Sequence, residues 1–258
     1  MSKFKLEVKN ISFERNGRKI LDGISFDIDK GEIVGVIGPN GSGKTTLLKT
    51  MNNINEISEG SIKFNGKNID EFKTKELAKR ISFMNQNTNI GFDFPCIDVV
   101  VLGRYPYLDN FSEYSSKDME IAENYMKLTN TLKFRDKSIL SLSGGERQRV
   151  LFAKTLTQES DVILLDEPTA SLDMKYEEEI FKILEGVKAQ GKGIVAIIHN
   201  LRTAIKYCDR LILLSEGKVV QIGTPEEIIT EENLRNIYKV DVKVYKNSIN
   251  GRLDFCIL

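Results

Sequence analysis

The chain is poor in the residues that staple, anchor or steer a protein. Among its 258 residues are three cysteines, Cys96, Cys208 and Cys256, far apart and odd in number. They make no CxxC pair and no disulfide framework, which fits a reducing compartment. No apolar stretch approaches the roughly 20 residues that cross a bilayer. The first seven residues hold no apolar core of signal-peptide length, so no secretory leader is expected there. Any work at a membrane would therefore need other chains. Neither sign of charge is in excess, with Lys plus Arg at 37 and Asp plus Glu at 37. A polyphosphate binder normally carries a basic surplus, so nucleic acid is not expected as a principal partner. Internal repeats and low-complexity linkers are absent too, and His199 is the sole histidine.

What is present reads as one folded α/β chain. Hydrophobic residues make up 41% and charged residues 29%, the ordinary balance of a globular protein with a core. Phe4, Leu6 and Val8 alternate with charged residues at strand period, and Ile24, Phe26 and Ile28 repeat the pattern. Ile33–Ile37 is nearly all apolar, as in a strand covered on both faces. Ile62 and Phe64 followed by Asn65-Gly66 predict a small hairpin. Strand patterns recur at 81–85, Val162–Leu165, 194–198 and 211–214, while Ile180, Ile183, Leu184 and Val187 have helical spacing. Strands alternating with helices imply a largely parallel sheet. From about Thr88 to Ser160 strand signals thin out. Ser115 with Asp118 reads there as the cap of a helix through Ile121, Tyr125 and Leu128. This stretch is the candidate for an inserted helical subdomain.

Two segments carry phosphate chemistry. Gly38-Pro39-Asn40-Gly41-Ser42-Gly43-Lys44-Thr45, continuing into Thr46, has P-loop spacing between a strand and a helix. Its glycines let successive backbone N–H groups turn inward onto phosphate oxygens, and the helix dipole adds positive potential at the same point. Lys44 would reach the β- and γ-phosphates, and the Thr45 hydroxyl would complete a Mg²⁺ shell. Val162-Ile163-Leu164-Leu165 then delivers Asp166 and Glu167 at the carboxyl end of a buried strand, where open α/β sheets bind ligands. Asp166 could hold Mg²⁺ directly or through water, and Glu167 could polarise an attacking water. Ser143 and Glu146 form a capping box at a helix start, and Gly144 and Gly145 leave its N–H groups open to a phosphate.

Leu142-Ser143-Gly144-Gly145-Glu146-Arg147-Gln148-Arg149 resembles the signature motif of ATP-binding cassette proteins, with Glu146 where the family more often has Gln. The resemblance covers nearly the whole chain. It implies that Gln86 is the Q-loop residue touching Mg²⁺ and water, and that Ser171-Leu172-Asp173 is the D-loop. It also implies that His199 is the switch histidine at the γ-phosphate, followed by Asn200 where the family usually has Asp. Phe13 stands where the family places an aromatic against adenine; a core residue on an edge strand is the other reading. The expected fold is a P-loop NTPase core with a mostly parallel sheet, an N-terminal antiparallel β subdomain and an inserted helical subdomain. Residues 1–87 and 161–258 form the core in this reading, and 88–160 form the insertion with the signature motif.

The same resemblance implies a head-to-tail homodimer with ATP and Mg²⁺ sandwiched between copies. Lys44, Thr45, Gln86, Asp166, Glu167 and His199 of one would face Ser143, Gly144 and Gly145 of the other. Phe92-Asp93-Phe94-Pro95 through Val101-Leu102-Gly103-Arg104-Tyr105-Pro106 resembles the partner-contacting stretch of subunits that import iron-siderophore complexes, haem or cobalamin; an exposed loop with a Pro turn is the plain alternative. The ending Gly251-Arg252-Leu253-Asp254-Phe255 is similar to that subfamily's tail. The expectation is an ATPase peripheral to the cytoplasmic face of a membrane, with permease subunits and an extracytoplasmic binding protein as partners. A soluble cassette ATPase, as in iron–sulfur cluster assembly, a silent nucleotide-binding module and an exporter subunit are the other readings.

Overall fold

A computed structural model describes residues 5–86, 91, 93–109, 112–170, 172–249 and 251–258. Phe4, Phe92, Ser171 and the expected start of the insertion at Thr88 lie outside these residues. In chain order the elements are β1 (Lys5–Arg15), β2 (Arg18–Asp29), β3 (Ile33–Ile37), α1 (Lys44–Met51), β4 (Glu59–Phe64) and β5 (Lys67–Asn68). There follow α2 (Thr74–Ala78), β6 (Ile81–Met84), α3 (Cys96–Val101), α4 (Ser116–Leu128), α5 (Gly144–Thr157), β7 (Val162–Leu165) and α6 (Met174–Ala189). The chain closes with β8 (Gly193–Ile197), α7 (Leu201–Tyr207), β9 (Arg210–Ser215), β10 (Lys218–Gly223), β11 (Val242–Lys246) and β12 (Leu253–Ile257). Two compact units result, Met1–Ile69 with Gly193–Leu258, and Asp70–Lys192.

The first unit holds strands of two larger sheets and a C-terminal hairpin. One is antiparallel in the order β2-β1-β4-β5, so β1 lies inside the sheet and Phe13 is not on an edge strand. The reason is the long β1–β2 hairpin, which leaves the other side of β1 free to take β4. In the other sheet β3 pairs in parallel with both β8 and β9, and β10 adds antiparallel to β9. Every residue of β3 and of β8 is buried, which accounts for their unbroken apolar runs. Three hairpins turn on a residue pair with positive φ, Asn16-Gly17, Asn65-Gly66 and Glu216-Gly217. Both central residues of a type I′ turn need that conformation. Only the Asn65-Gly66 turn is predicted by the sequence reading. The last hairpin, β11–β12, is clipped to α7 by Arg202, whose Nε donates to Asp254 and whose Nη2 donates to the Phe255 carbonyl.

The second unit carries the helices. Its strands β6 and β7 pair in parallel, Met84 beside Leu165. The expected strand 81–85 stops at Met84, and 194–198 in the first unit runs Gly193–Ile197 instead. Around α3, α4 and α5 the backbone is helical or looped, apart from a bridge between Pro95 and Ser138. Ser115 caps α4 as predicted, accepting from the Asp118 amide. The segment Leu102–Tyr107, expected to meet a partner, is partly interior. A Cβ on Gly103 would sit 2.4 Å from the Lys154 carbonyl oxygen, so only glycine allows the segment to lie against α5. Arg104 is buried, pairing with Asp118 and Glu159 and donating to the Thr157 carbonyl. Leu102, Tyr105 and Tyr107 remain exposed.

Cys96, the first residue of α3, is fully buried, and burial pushes its thiol up to about 11. Cys208 is buried and Cys256 exposed. Because the thiolate is the reactive form, an alkylating reagent near neutral pH should label Cys256 alone in the native chain and all three after denaturation. Mass spectrometry that found Cys96 modified as fast as Cys256 would contradict this packing.

Candidate functional site

The first unit presents the phosphate loop. Strand β3 ends at Ile37, and the chain turns at Gly38, where φ is 150° and a Cβ would lie 2.0 Å from the Leu214 carbonyl oxygen. No other residue fits so close to β9. Gly43 caps α1 in a left-handed conformation, and the Leu47 amide bonds its carbonyl at 2.8 Å. Lys44 is buried under the loop and donates to the Gly38 and Pro39 carbonyls, each at 2.8 Å. Thr45 and Thr46 are half-buried on the first turn of α1, while Asn40 and Gly41 are exposed at the loop's tip. The Ser42 hydroxyl is buried and has no hydrogen-bond partner among the described residues. Concave runs of backbone N–H at a helix start form an anion site.

His199 comes to the same edge. Val36 stands beside Ile197 in the parallel ladder, so Gly38 and His199 follow at matching distances along neighbouring strands. His199 is exposed, one residue before the α7 cap. Asn200 fills that cap, its Oδ1 accepting from the Arg202 and Thr203 amides. Asparagine caps about as well as aspartate, so the departure from the family's residue preserves the local turn. Phe13 is the cross-strand partner of Leu21, and Leu21 packs where a Cβ on Gly43 would meet it at 3.0 Å. Its ring is half-buried, one strand away from the loop.

The second unit presents the acidic group and the signature helix. Asp166 follows the buried strand β7 and is itself 1% exposed; its amide bonds the Met84 carbonyl at 2.9 Å. Glu167 then takes φ of 51°, a left-handed conformation that costs a non-glycine residue about 1–2 kcal/mol. Two glutamines hold it there. Gln86, just past β6, donates to Glu167 Oε2 at 2.5 Å, and Gln148 of α5 donates to the Glu167 carbonyl at 3.0 Å. Gln86 is thus brought to Glu167, the chain neighbour of Asp166.

Ser143, Gly144 and Gly145 open α5, with Ser143 and Gly144 exposed. The capping box is present. Glu146 Oε2 accepts from the Ser143 amide at 3.0 Å and from its hydroxyl at 2.8 Å. These Ser143 contacts hold the Glu146 carboxyl below its usual range, and Arg149 and Lys133 add smaller attractions. Glutamate in place of the family's glutamine keeps the cap.

Sequence reasoning missed two contributors. Gln148 lies inside the quoted signature, but nothing local says that it reaches residue 167. Replacing it with leucine should remove a hydrogen bond worth about 1 kcal/mol and slow turnover roughly five- to tenfold, leaving KM for nucleotide unchanged. A rise in KM at constant kcat would instead place Gln148 in binding. Tyr238 is the other. Burial pushes its phenol up to about 12, and the Gly38 backbone offsets part of that push. It arrives from far down the chain, so no motif marks it.

Known proteins share this plan. A family model described as ABC transporter matches residues 21–170. A hemin import ATP-binding protein of Rhodococcus jostii is 33% identical, over 95% of this chain and 84% of its own length. A petrobactin import ATP-binding protein of Bacillus subtilis is 38% identical, over 93% of this chain and 94% of its own. Among solved structures, one described as a metal-chelate type ABC transporter in an inward-facing conformation superposes with a TM-score of 0.86 at 26% identity. That superposition covers 100% of this chain and 98% of the other.

Proposed function

The chain belongs to the ABC transporter family, and from that premise we propose that it is the ATP-hydrolysing subunit of an importer for iron-siderophore, haem or cobalamin. The observation that carries the reading is Glu167, held in a strained backbone conformation by Gln86 and Gln148 at the end of a buried strand. Strain of this kind persists where a side chain must be aimed. Glu167 would orient and polarise the attacking water, and His199 would contact the γ-phosphate. Lys44 would exchange its bonds to the loop carbonyls for the β- and γ-phosphates. The loop from Gly38 to Thr46 would wrap the triphosphate, and Phe13 would stack on adenine. Catalysis of this type is positioning and charge stabilisation.

Thr45, Gln86 and Asp166 would hold Mg²⁺, a set of hard oxygen donors that suits it. The ion would neutralise charge on the phosphates. Gln86 spends its nitrogen on Glu167, so its carbonyl oxygen would be the atom left for such a role. Ser143, Gly144 and Gly145 at the start of α5, the first two exposed, would close over the nucleotide of a second copy, so that the working unit is a head-to-tail homodimer. Residues 88–160 serve in this reading as the insertion that carries the signature and the partner surface.

That partner surface is the exposed set Leu102, Tyr105 and Tyr107, presented by the buried Gly103 and Arg104. No helix among the described residues is long and apolar enough to cross a membrane. In this reading the spanning parts of the importer belong to permease chains, this chain sits peripherally at the cytoplasmic face, and an extracytoplasmic binding protein selects the cargo. Purification in mild detergent should recover a multi-spanning chain with this one. Leu102→Asp combined with Tyr105→Asp should lose that chain while basal ATP hydrolysis persists. Recovery of soluble scaffold proteins in its place, as for an ATPase of iron–sulfur assembly, would refute the importer.

A further inference from the structure

A cleft of about 430 Å³ opens on the second unit, and none of the residues given roles above lines it. The C-terminal turn of α4 and the loop after it, the middle of α5 and the first turns of α6 line it. Lys127, Lys133, Arg149 and Lys175 bring four positive charges, against the single carboxylate of Glu179. The three lysines are exposed, and none is ion-paired among the described residues. A solvated basic face could look like this. Arg149 does not.

Arg149 is 4% exposed, and its guanidinium carbon lies 4.0 Å above the Tyr176 ring. Its Nε is sealed from solvent with no hydrogen-bond partner among the described residues. The other buried arginine of this unit, Arg104, shows the usual solution, two carboxylates and a carbonyl. Leaving one partner off a buried charge is costly. Neither neighbouring acid makes up the loss. Glu146 is bound to the Ser143 amide and hydroxyl, and Glu179 accepts from Asn130 at 3.4 Å.

We propose that this cleft binds a multivalent oxyanion of the polyphosphate class. A guanidinium stacked by its face on an aromatic ring keeps its in-plane Nη donors for a bidentate oxyanion. Lysines on flexible stems then add point charges around it. The excess of positive lining charge over Glu179 selects a ligand with several negative charges, and the volume lies in the range of small-molecule sites. Arg149 stands on the helix that starts with Gly144, and Lys175 and Tyr176 stand in the first turn of α6, past its cap Asp173. An anion seated here ties those two segments together.

The test is calorimetric titration of the full chain with inorganic pyrophosphate. The Lys44→Ala variant, in which the phosphate loop is weakened, should keep a saturable site. Lys133→Glu with Lys175→Glu, added to it, should weaken that site by about tenfold or more, while the control Lys246→Glu leaves it unchanged. ADP titrated in parallel tells the source of the anion. Tighter binding than pyrophosphate marks a nucleotide, equal or weaker binding a free anion, and either upholds the site when the double reversal removes it. No saturable binding in the Lys44→Ala chain, or binding indifferent to the double reversal, overturns it.

Discussion

Glu167→Gln is expected to slow ATP hydrolysis by about 10²–10⁴-fold, the contribution of a positioned general base, while nucleotide still binds. The exchange keeps size and shape. The amide oxygen can still accept from Gln86, and Gln148 still holds the backbone, because its bond goes to the residue-167 carbonyl. Only the capacity to draw a proton from water is lost. ATP then outlives the step that would break it, and two copies should remain joined around it. Phosphate release reports the rate, and light scattering with ATP and Mg²⁺ reports the dimer. Turnover within tenfold of the parent would remove Glu167 from the water-activating role. A low rate without a dimer would leave that role standing and break the sandwich.

Arg104→Met should lower stability by about 3–5 kcal/mol, the cost of breaking a buried ion pair by removing one partner. For a chain near this size about 2–4 °C is lost per kcal/mol, so the melting temperature should fall on the order of 10 °C. Methionine fills much of the volume but leaves Oδ1 of Asp118, on a side chain 14% exposed, and the Thr157 carbonyl without the Arg104 donor. Glu159 is 40% exposed and will find water instead. Lysine is not a rescue, since one ammonium cannot face these acceptors at Nε and Nη1 together.

The pH dependence has a definite sign. Burial pushes the Asp118 carboxyl up, but the Ser115 hydroxyl and amide and the Arg104 guanidinium outweigh it and hold it below its usual value. A depressed carboxyl contributes fully above its unfolded value of about 3.9 and loses that contribution as pH falls through the folded one. The stability gap between parent and variant should narrow in acid. A fall of a degree or two at neutral pH would show that the bridge is mostly solvated.

How much of this could be read beforehand depended on how local each interaction is. The phosphate loop is a contiguous string between a strand and a helix, and the Ser143–Glu146 box spans three residues. Both were legible because the chemistry and the chain order coincide. Asp166 and Glu167 were legible because four apolar residues announce the buried strand before them. The bond from Gln148 to residue 167 was not, since pairing across separate elements leaves no pattern in either. Gly103 and Arg104 were read as part of a partner surface because their string resembles the partner-contacting stretch of importer subunits, and a string says nothing of its own burial. The carbonyls and carboxylates that bury it come from 14 to 55 residues away. The Glu216-Gly217 turn escaped because glutamate is an uncommon first residue for a turn that demands positive φ.

Strands β3 and β8 advance in step, Val36 abreast of Ile197, before one becomes a loop and the other a histidine. Their lengths are therefore a shared ruler. Deleting a single residue from β8 would pull His199 back by about 3.3 Å and swing its ring to the opposite side of the sheet. No substitution of side chains could restore the alignment. Insertions that a surface connection such as 52–58 would absorb are barred from these two short runs, where the inherited quantity is the count of residues more than their identity.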